Sequence, residues 1–215
     1  MLAFLNWLER LTFLRGGAAA ALVVLAVAAI CVLWDWRVTL AALAIQYFLT
    51  DVAFLEIFDS RLVVVKGITS LFVWLILALT AYQIHARQSA DERTRGPAAL
   101  TLRLAVTALG LVTLWLLAGR PGWQLGALSV TLNRLVYTLT AAGAVLAVVA
   151  EEPFEAGAGL LLFLRGFELY YHSLEQSSLI LAFLVAVNLT VALVAAYLMV
   201  TGRATRPQLP GKPEV

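Results

Sequence analysis

Long apolar runs alternate with short polar segments along most of the chain, at a spacing typical of membrane-spanning helices. A helix that crosses a bilayer needs about 20 consecutive, mostly apolar residues. Runs of this kind lie at about 17–34, 38–57, 62–85, 99–119, 128–150, 155–172 and 177–200. The pattern predicts an all-α fold, a polytopic membrane helix bundle with about seven transmembrane helices, formed by residues 17–201.

The two ends of the chain follow different patterns. Residues 1–16 are amphipathic and predict a short helix that lies in the membrane interface. Residues 202–215 are rich in proline and predict a flexible tail. With seven spans, the loops on one side hold seven Lys and Arg residues, against four or five on the other side. The pattern predicts a multi-pass protein of the cell membrane. The positive-inside rule then places its C-terminus in the cytoplasm.

The composition supports a protein embedded in the lipid bilayer and excludes several kinds of chemistry. Hydrophobic residues make up 62% of the chain and charged residues 13%, whereas soluble domains carry roughly 25% charged residues. Cys31 is the only cysteine, so no disulfide framework or zinc cluster is expected. We expect no cofactor, no metal and no nucleic-acid partner. Motifs of hydrolases and nucleotide-binding proteins are missing, so the chain is not expected to be catalytic alone, although it could belong to an enzyme complex.

Charged side chains inside the predicted spans are the main candidates for function. Lys66 lies in the third span, where an ionisable group costs at least ~2.5 kcal/mol near the bilayer centre. Asp51 and Glu56 lie in the second span, which a short hairpin joins to the third, so either carboxylate could reach Lys66. Alternatively, Lys66 extends its amine to the membrane surface and both carboxylates lie at headgroup level.

The sixth predicted span holds the densest group of ionisable residues. Arg165, Glu168 and His172 are spaced by three and four positions, which places them on one face of a helix. A buried carboxylate with a cation one turn away and a histidine beyond it could form part of a proton path. The alternative is a structural ion pair between Arg165 and Glu168 that fixes helix packing. Gln46 and Asn188 lie in the middle of other spans and are polar neighbours of this group.

Two segments carry a resemblance to a known family. Segment 46–87 contains Gln46, a hairpin, Lys66 and the helix end 80–87, and it resembles component E of hydrogenase-4-type membrane complexes. The segment Gly166-Phe-Glu168 resembles the sixth span of that family. This region is similar in turn to the K-type subunit of complex I and the C-type subunit of Mrp antiporters. In the last span, Asn188 stands where the family pattern would have an aspartate.

The resemblance implies that Lys66 and Glu168 belong to a central hydrophilic axis of an ion-translocating assembly, with Gln46 beside it. The chain would then be a membrane subunit that contributes to proton or sodium translocation, with other membrane subunits as partners and redox chemistry in those partners. Asp51, Glu56, Arg165 and His172 would modulate the relay. Two alternatives stay open: a structural subunit of another membrane complex, with static ion pairs, and a small stand-alone transporter, for which no internal repeat is visible.

Overall fold

The computed structural model describes residues 17–33, 35–57, 60–85, 97–126, 128–175 and 177–204. Seven α-helices and two short 3₁₀ turns make up nearly all of these residues, and they contain no strand. The helices are α1 (Gly17–Val32), α2 (Trp36–Ala53), α3 (Ser60–His85), α4 (Pro97–Ala118), α5 (Val130–Val149), α6 (Pro153–Leu174) and α7 (Ser178–Ala204). The 3₁₀ turns are Phe54–Glu56 and Pro121–Trp123.

The observed helices coincide closely with the apolar runs of the sequence. The largest differences are four residues: α2 ends at Ala53, where the predicted span ends at 57, and α7 continues through Ala204, where the predicted span ends at 200. A single glycine, Gly202, lowers helix stability without ending a helix, and the next proline is Pro207. The predicted interfacial helix at 1–16 and most of the predicted tail lie outside the described residues.

Four of the described helical segments are long and apolar enough to cross a membrane: Trp36–Glu56, Leu62–Ile84, Val130–Val149 and Ser178–Gly202. Two shorter apolar segments, Gly17–Val32 and Leu104–Ala118, accompany them. Many large apolar side chains on α3, α4 and α7 point away from the core, among them Phe72, Leu109 and Leu179. An apolar outer surface of this kind indicates a membrane protein.

Six of the seven helices form a closed ring in the order α1, α2, α3, α7, α6, α5, in which each helix packs against the next and α5 packs against α1. The remaining helix, α4, packs on the outside against α1 and α5. Helix α6 packs between α5 and α7. Its polar side chains extend into the inside of the ring, which side chains of α2 and α3 also reach.

Helices α5 and α6 approach each other closely because glycines remove side-chain bulk from their contact. A Cβ atom added to Gly143 would lie 2.8 Å from the Cα of Phe163, and one added to Gly159 would lie 2.9 Å from the Cα of Ala147. Small residues of this type let two membrane helices approach backbone to backbone. Gly166 belongs to the same contact, since its added Cβ would lie 2.6 Å from the amide nitrogen of Thr140. Helix α6 is thus held tightly against α5.

Polar caps determine where several helices begin. The Asp35 side chain accepts a hydrogen bond of 2.9 Å from the amide of Arg37 at the start of α2. The Ser129 hydroxyl accepts one of 3.3 Å from the amide of Leu132 at the start of α5. Pro153 occupies the first turn of α6, a position where its missing N–H leaves no intrahelical bond unmade.

Candidate functional site

Two carboxylates and two cations meet inside the ring of helices. They are Asp51 from α2, Lys66 from α3, and Arg165 and Glu168 from α6. Their side chains are nearly inaccessible, with residue exposures of 8% for Asp51, 2% for Lys66, 1% for Arg165 and 0% for Glu168. These four residues are called the charge cluster below. If all four groups are ionised, their charges sum to zero, which lowers the cost of placing them in an apolar environment.

Glu168 is the acceptor at the centre of the charge cluster. Its Oε2 atom lies 2.5 Å from Lys66 Nζ and 3.4 Å from Arg165 Nη1. One carboxylate oxygen therefore receives hydrogen bonds from cations on two helices. The other oxygen, Oε1, accepts a hydrogen bond of 2.5 Å from Asn188 Nδ2 on α7. Both oxygens of Glu168 are occupied, and the side chain connects α3, α6 and α7.

Arg165 connects this centre to the second carboxylate. Its Nη2 atom lies 3.1 Å from Asp51 Oδ1 and also donates to the Ser70 hydroxyl. That hydroxyl in turn donates to the main-chain oxygen of Lys66 at 2.9 Å. The planar guanidinium thus forms hydrogen bonds with Glu168 and Ser70 and an ion pair with Asp51 at the same time, which a lysine at this position could not do.

Two aromatic rings form part of the walls around the cations. Lys66 Nζ lies 4.3 Å from the centroid of the Phe54 ring, and Arg165 Cζ lies 4.1 Å from the centroid of the Tyr47 ring. Both distances are within the range of cation–π attraction, which strengthens when water is excluded. The sequence gives a weak signal for Tyr47, which stands four residues before Asp51 on the same helical face. It gives none for Phe54, which lies in the 3₁₀ turn after α2.

The remaining predicted residues lie near the charge cluster or at the end of the bundle. His172 is fully buried one turn beyond Glu168, with its ring centroid 6.1 Å from that of Phe54. Gln46 is buried on α2 and donates to the Thr50 hydroxyl at 3.4 Å. Glu56 is exposed and accepts a hydrogen bond of 3.4 Å from the Ser129 hydroxyl, so it lies outside the charge cluster.

The partners of the charges differ from the first expectation from the hairpin. Lys66 does not pair across the hairpin with Asp51 or Glu56; its ion pair runs to Glu168 on α6. Asp51 pairs instead with Arg165. The interpretation in which Lys66 extends to the membrane surface is also wrong, because the residue is 2% exposed. The local contact between Arg165 and Glu168 is present, and α6 supplies partners for both neighbouring helices.

The charge cluster lies closer to one end of the bundle. Glu168 is six residues before the end of α6 and Lys66 six residues after the start of α3, which corresponds to about 9 Å at 1.5 Å per residue. His172 and Phe54 lie between the charge cluster and that end. Within the described part of the chain, no group of three or more His, Cys, Asp or Glu side chains is arranged to hold a metal ion.

Comparison with known proteins yields no match for this chain: no family model, no curated protein and no solved structure is similar to it. The observed basis for a function is therefore the charge cluster of Asp51, Lys66, Arg165 and Glu168.

Proposed function

We propose that the chain is a membrane subunit of a complex-I-like, hydrogenase-like or Mrp-like assembly and contributes to proton or sodium translocation through Lys66 and Glu168. The observation that carries this proposal is the buried contact of 2.5 Å between Lys66 Nζ and Glu168 Oε2, with Arg165 on the same oxygen. The two segments that resemble component E of hydrogenase-4-type complexes contain these same two residues.

A lysine–glutamate contact can hold a proton in two places at little electrostatic cost. In one state the ammonium and the carboxylate are both charged; in the other, the proton has moved to Glu168 and both groups are neutral. The sum of their charges is zero in both states, so transfer does not leave a net charge in the apolar interior. Arg165 keeps a counter-charge in both states because Asp51 lies 3.1 Å from it.

The environment that we propose for the chain is a cell membrane. All seven helices would cross a cell membrane, including α6, whose charges face the inside of the ring. The larger number of Lys and Arg residues in the loops on one side would place the C-terminus in the cytoplasm. Partner subunits would supply the driving redox reaction or cation exchange.

One observation favours a second candidate function, that of a structural subunit. Every charge in the cluster has an opposite charge within 3.4 Å, and a balanced set of this kind can simply fix the packing of α2, α3, α6 and α7. Buried polar groups sometimes specify a unique arrangement in this way. In that case the ion pairs would stay fixed and no proton would move.

Neutral substitutions distinguish the two functions. Lys66→Met, Glu168→Gln and the double variant are introduced in the cells that make the protein, and substrate-driven acidification is measured in inverted membrane vesicles by fluorescence quenching. Native gel electrophoresis and mass spectrometry of the purified protein report which subunits remain assembled. A relay predicts that all three variants lose ion translocation, including the double variant in which no charge is left unpaired.

The structural function predicts a different pattern. Removing one partner leaves an unbalanced buried charge, whereas removing both does not. Assembly and translocation would then fail in the single variants and return in the double variant. Glu175→Gln is the matched control, since it removes an exposed carboxylate from the end of α6. It should leave both measurements at the wild-type level.

A further inference from the structure

A narrow cleft leads from the outside of the bundle to the charge cluster between α3 and α7. Its outer rim contains Thr69 and Val185, which are half-buried. Its deep wall contains Tyr47, Arg165 and Asn188 together with Lys66. These residues come from four helices, and all four deep residues are at most 4% exposed. The lining of the cleft therefore extends from half-buried residues at the rim to the otherwise buried cations.

Three polar atoms of the deep-wall residues have no hydrogen-bond partner among the described residues. They are the Tyr47 hydroxyl, the Asn188 Oδ1 atom and the Arg165 Nε atom, on residues that are 3%, 4% and 1% exposed. A buried polar group without a partner costs about 1–3 kcal/mol. Such groups are uncommon in folded proteins, and ordered water often satisfies them. All three atoms belong to residues that line the same cleft, so a ligand bound there could supply partners to them.

The chemistry of these atoms selects the ligand. Asn188 Oδ1 is an acceptor and needs a donor, Arg165 Nε is a donor and needs an acceptor, and the Tyr47 hydroxyl can donate or accept. A small neutral molecule with two donor hydrogens and acceptor lone pairs fits these requirements. An additional ion does not, since the four charges of the cluster already sum to zero. We propose that the cleft binds water, held by Tyr47 and Asn188 beside Lys66, and that this water enters between α3 and α7.

The cleft must widen slightly for water to enter. In this structure its walls leave no space for a water molecule between the described lining residues. Helix α6 is held against α5 by the glycine contacts, whereas Thr69 of α3 and Val185 of α7 line the rim of the cleft. A small separation of α3 from α7 would open the cleft while leaving Arg165 and Glu168 in place. A supply of water to the proton relay rests on the proposed function, but the water site itself does not.

Hydroxyl-radical footprinting tests for the water directly. Radicals generated from bound water modify the aromatic side chains next to it, and mass spectrometry of the detergent-solubilised protein locates the modification. Tyr47 should be modified although it is buried, whereas Phe54, a buried ring that is not among the residues lining the cleft, should stay unmodified. Val185→Phe fills the rim and should cause loss of the Tyr47 modification. Modification of Tyr47 no faster than that of Phe54 in the wild-type protein would overturn the proposal.

Cysteine labelling tests the route by which water enters. Single cysteines are placed at Thr69 or Val185 in a Cys31→Ser background and treated with a small charged thiosulfonate, which reacts with hydrated thiolates. Leu71→Cys is the matched control on α3, because Leu71 is 55% exposed on the apolar outer surface. Both rim cysteines should react and the control should not. Rim cysteines as unreactive as the control would contradict this route. Neither measurement depends on ion translocation, so a hydrated cleft without translocation would reject only the proposed function.

Discussion

Lys66 and Glu168 lie 102 positions apart in the chain, yet their side chains form an ion pair of 2.5 Å in the middle of the helix ring. The pair joins α3 to α6, which are not consecutive helices. It therefore contributes to the stability of the bundle as well as to the chemistry proposed for it, and each contribution can be measured separately.

The balance of charge should be visible in the stability of the Lys66 and Glu168 variants. Lys66→Met leaves the charge cluster with one excess negative charge, and Glu168→Gln leaves it with one excess positive charge. Each single variant should lose about 3–5 kcal/mol of unfolding free energy, and the double variant should regain most of that loss. Denaturant unfolding in detergent, followed by helical circular dichroism, measures this. A double variant as unstable as the sum of the two single variants would show that the two groups do not interact.

The geometry of the Arg165 guanidinium group should contribute to the stability of the protein in addition to its charge. Arg165→Lys keeps the positive charge but cannot reach Asp51, Glu168 and Ser70 together, so at least one buried acceptor loses its donor. We expect a loss of about 1–3 kcal/mol in unfolding free energy. Arg120→Lys, at an exposed position, is the control and should be close to neutral. Equal stability of the two variants would mean that the fork of hydrogen bonds contributes little.

The close contact of α5 with α6 should not tolerate a methyl group. Gly143→Ala would bring its Cβ within 2.8 Å of the Phe163 Cα atom, and the overpacking should destabilise the protein by about 1–3 kcal/mol. Gly110→Ala is the matched control, because an added Cβ at that helical position meets no atom within 4 Å. It should be neutral or slightly stabilising, since alanine favours helix. Thermal unfolding of both variants and of the wild-type protein in the same detergent measures these changes in stability.

Asn133 should hold the connection between α4 and α5 in place. Its Nδ2 atom donates to the main-chain oxygens of Ala118 and Trp123 at 2.6 and 3.2 Å, and its Oδ1 accepts from the amide of Leu125 at 3.1 Å. Asn133→Ala leaves these main-chain groups without their partner and should cost about 1–3 kcal/mol. Limited proteolysis should then cut the 119–129 connection faster. A cleavage rate equal to that of the wild-type protein would contradict this role.

Much of the helical framework is predictable from the sequence because it depends on local information. A run of about 20 apolar residues forms a helix in an apolar environment wherever it occurs, since its backbone groups must bond to each other. The spacing of Arg165 and Glu168 likewise predicts their contact, because positions three apart are neighbours on any helix. The burial of Gln46 and Asn188 also follows from their positions in the middle of apolar runs.

The identity of the partners is a property of the tertiary structure. Chain connectivity favours Asp51 or Glu56 as the partner of Lys66, because a short hairpin joins their helices. The structure pairs Lys66 with Glu168 instead. Helix α7 lies between α3 and α6 in the ring, but the side chains of Lys66 and Glu168 extend into the ring and meet there. The order of helices around a bundle depends on the fit of whole surfaces, such as the glycine contact of α5 with α6. Sequence by itself thus determined the helices and the residues that could carry charge, whereas only the packing of those helices decided which charges meet.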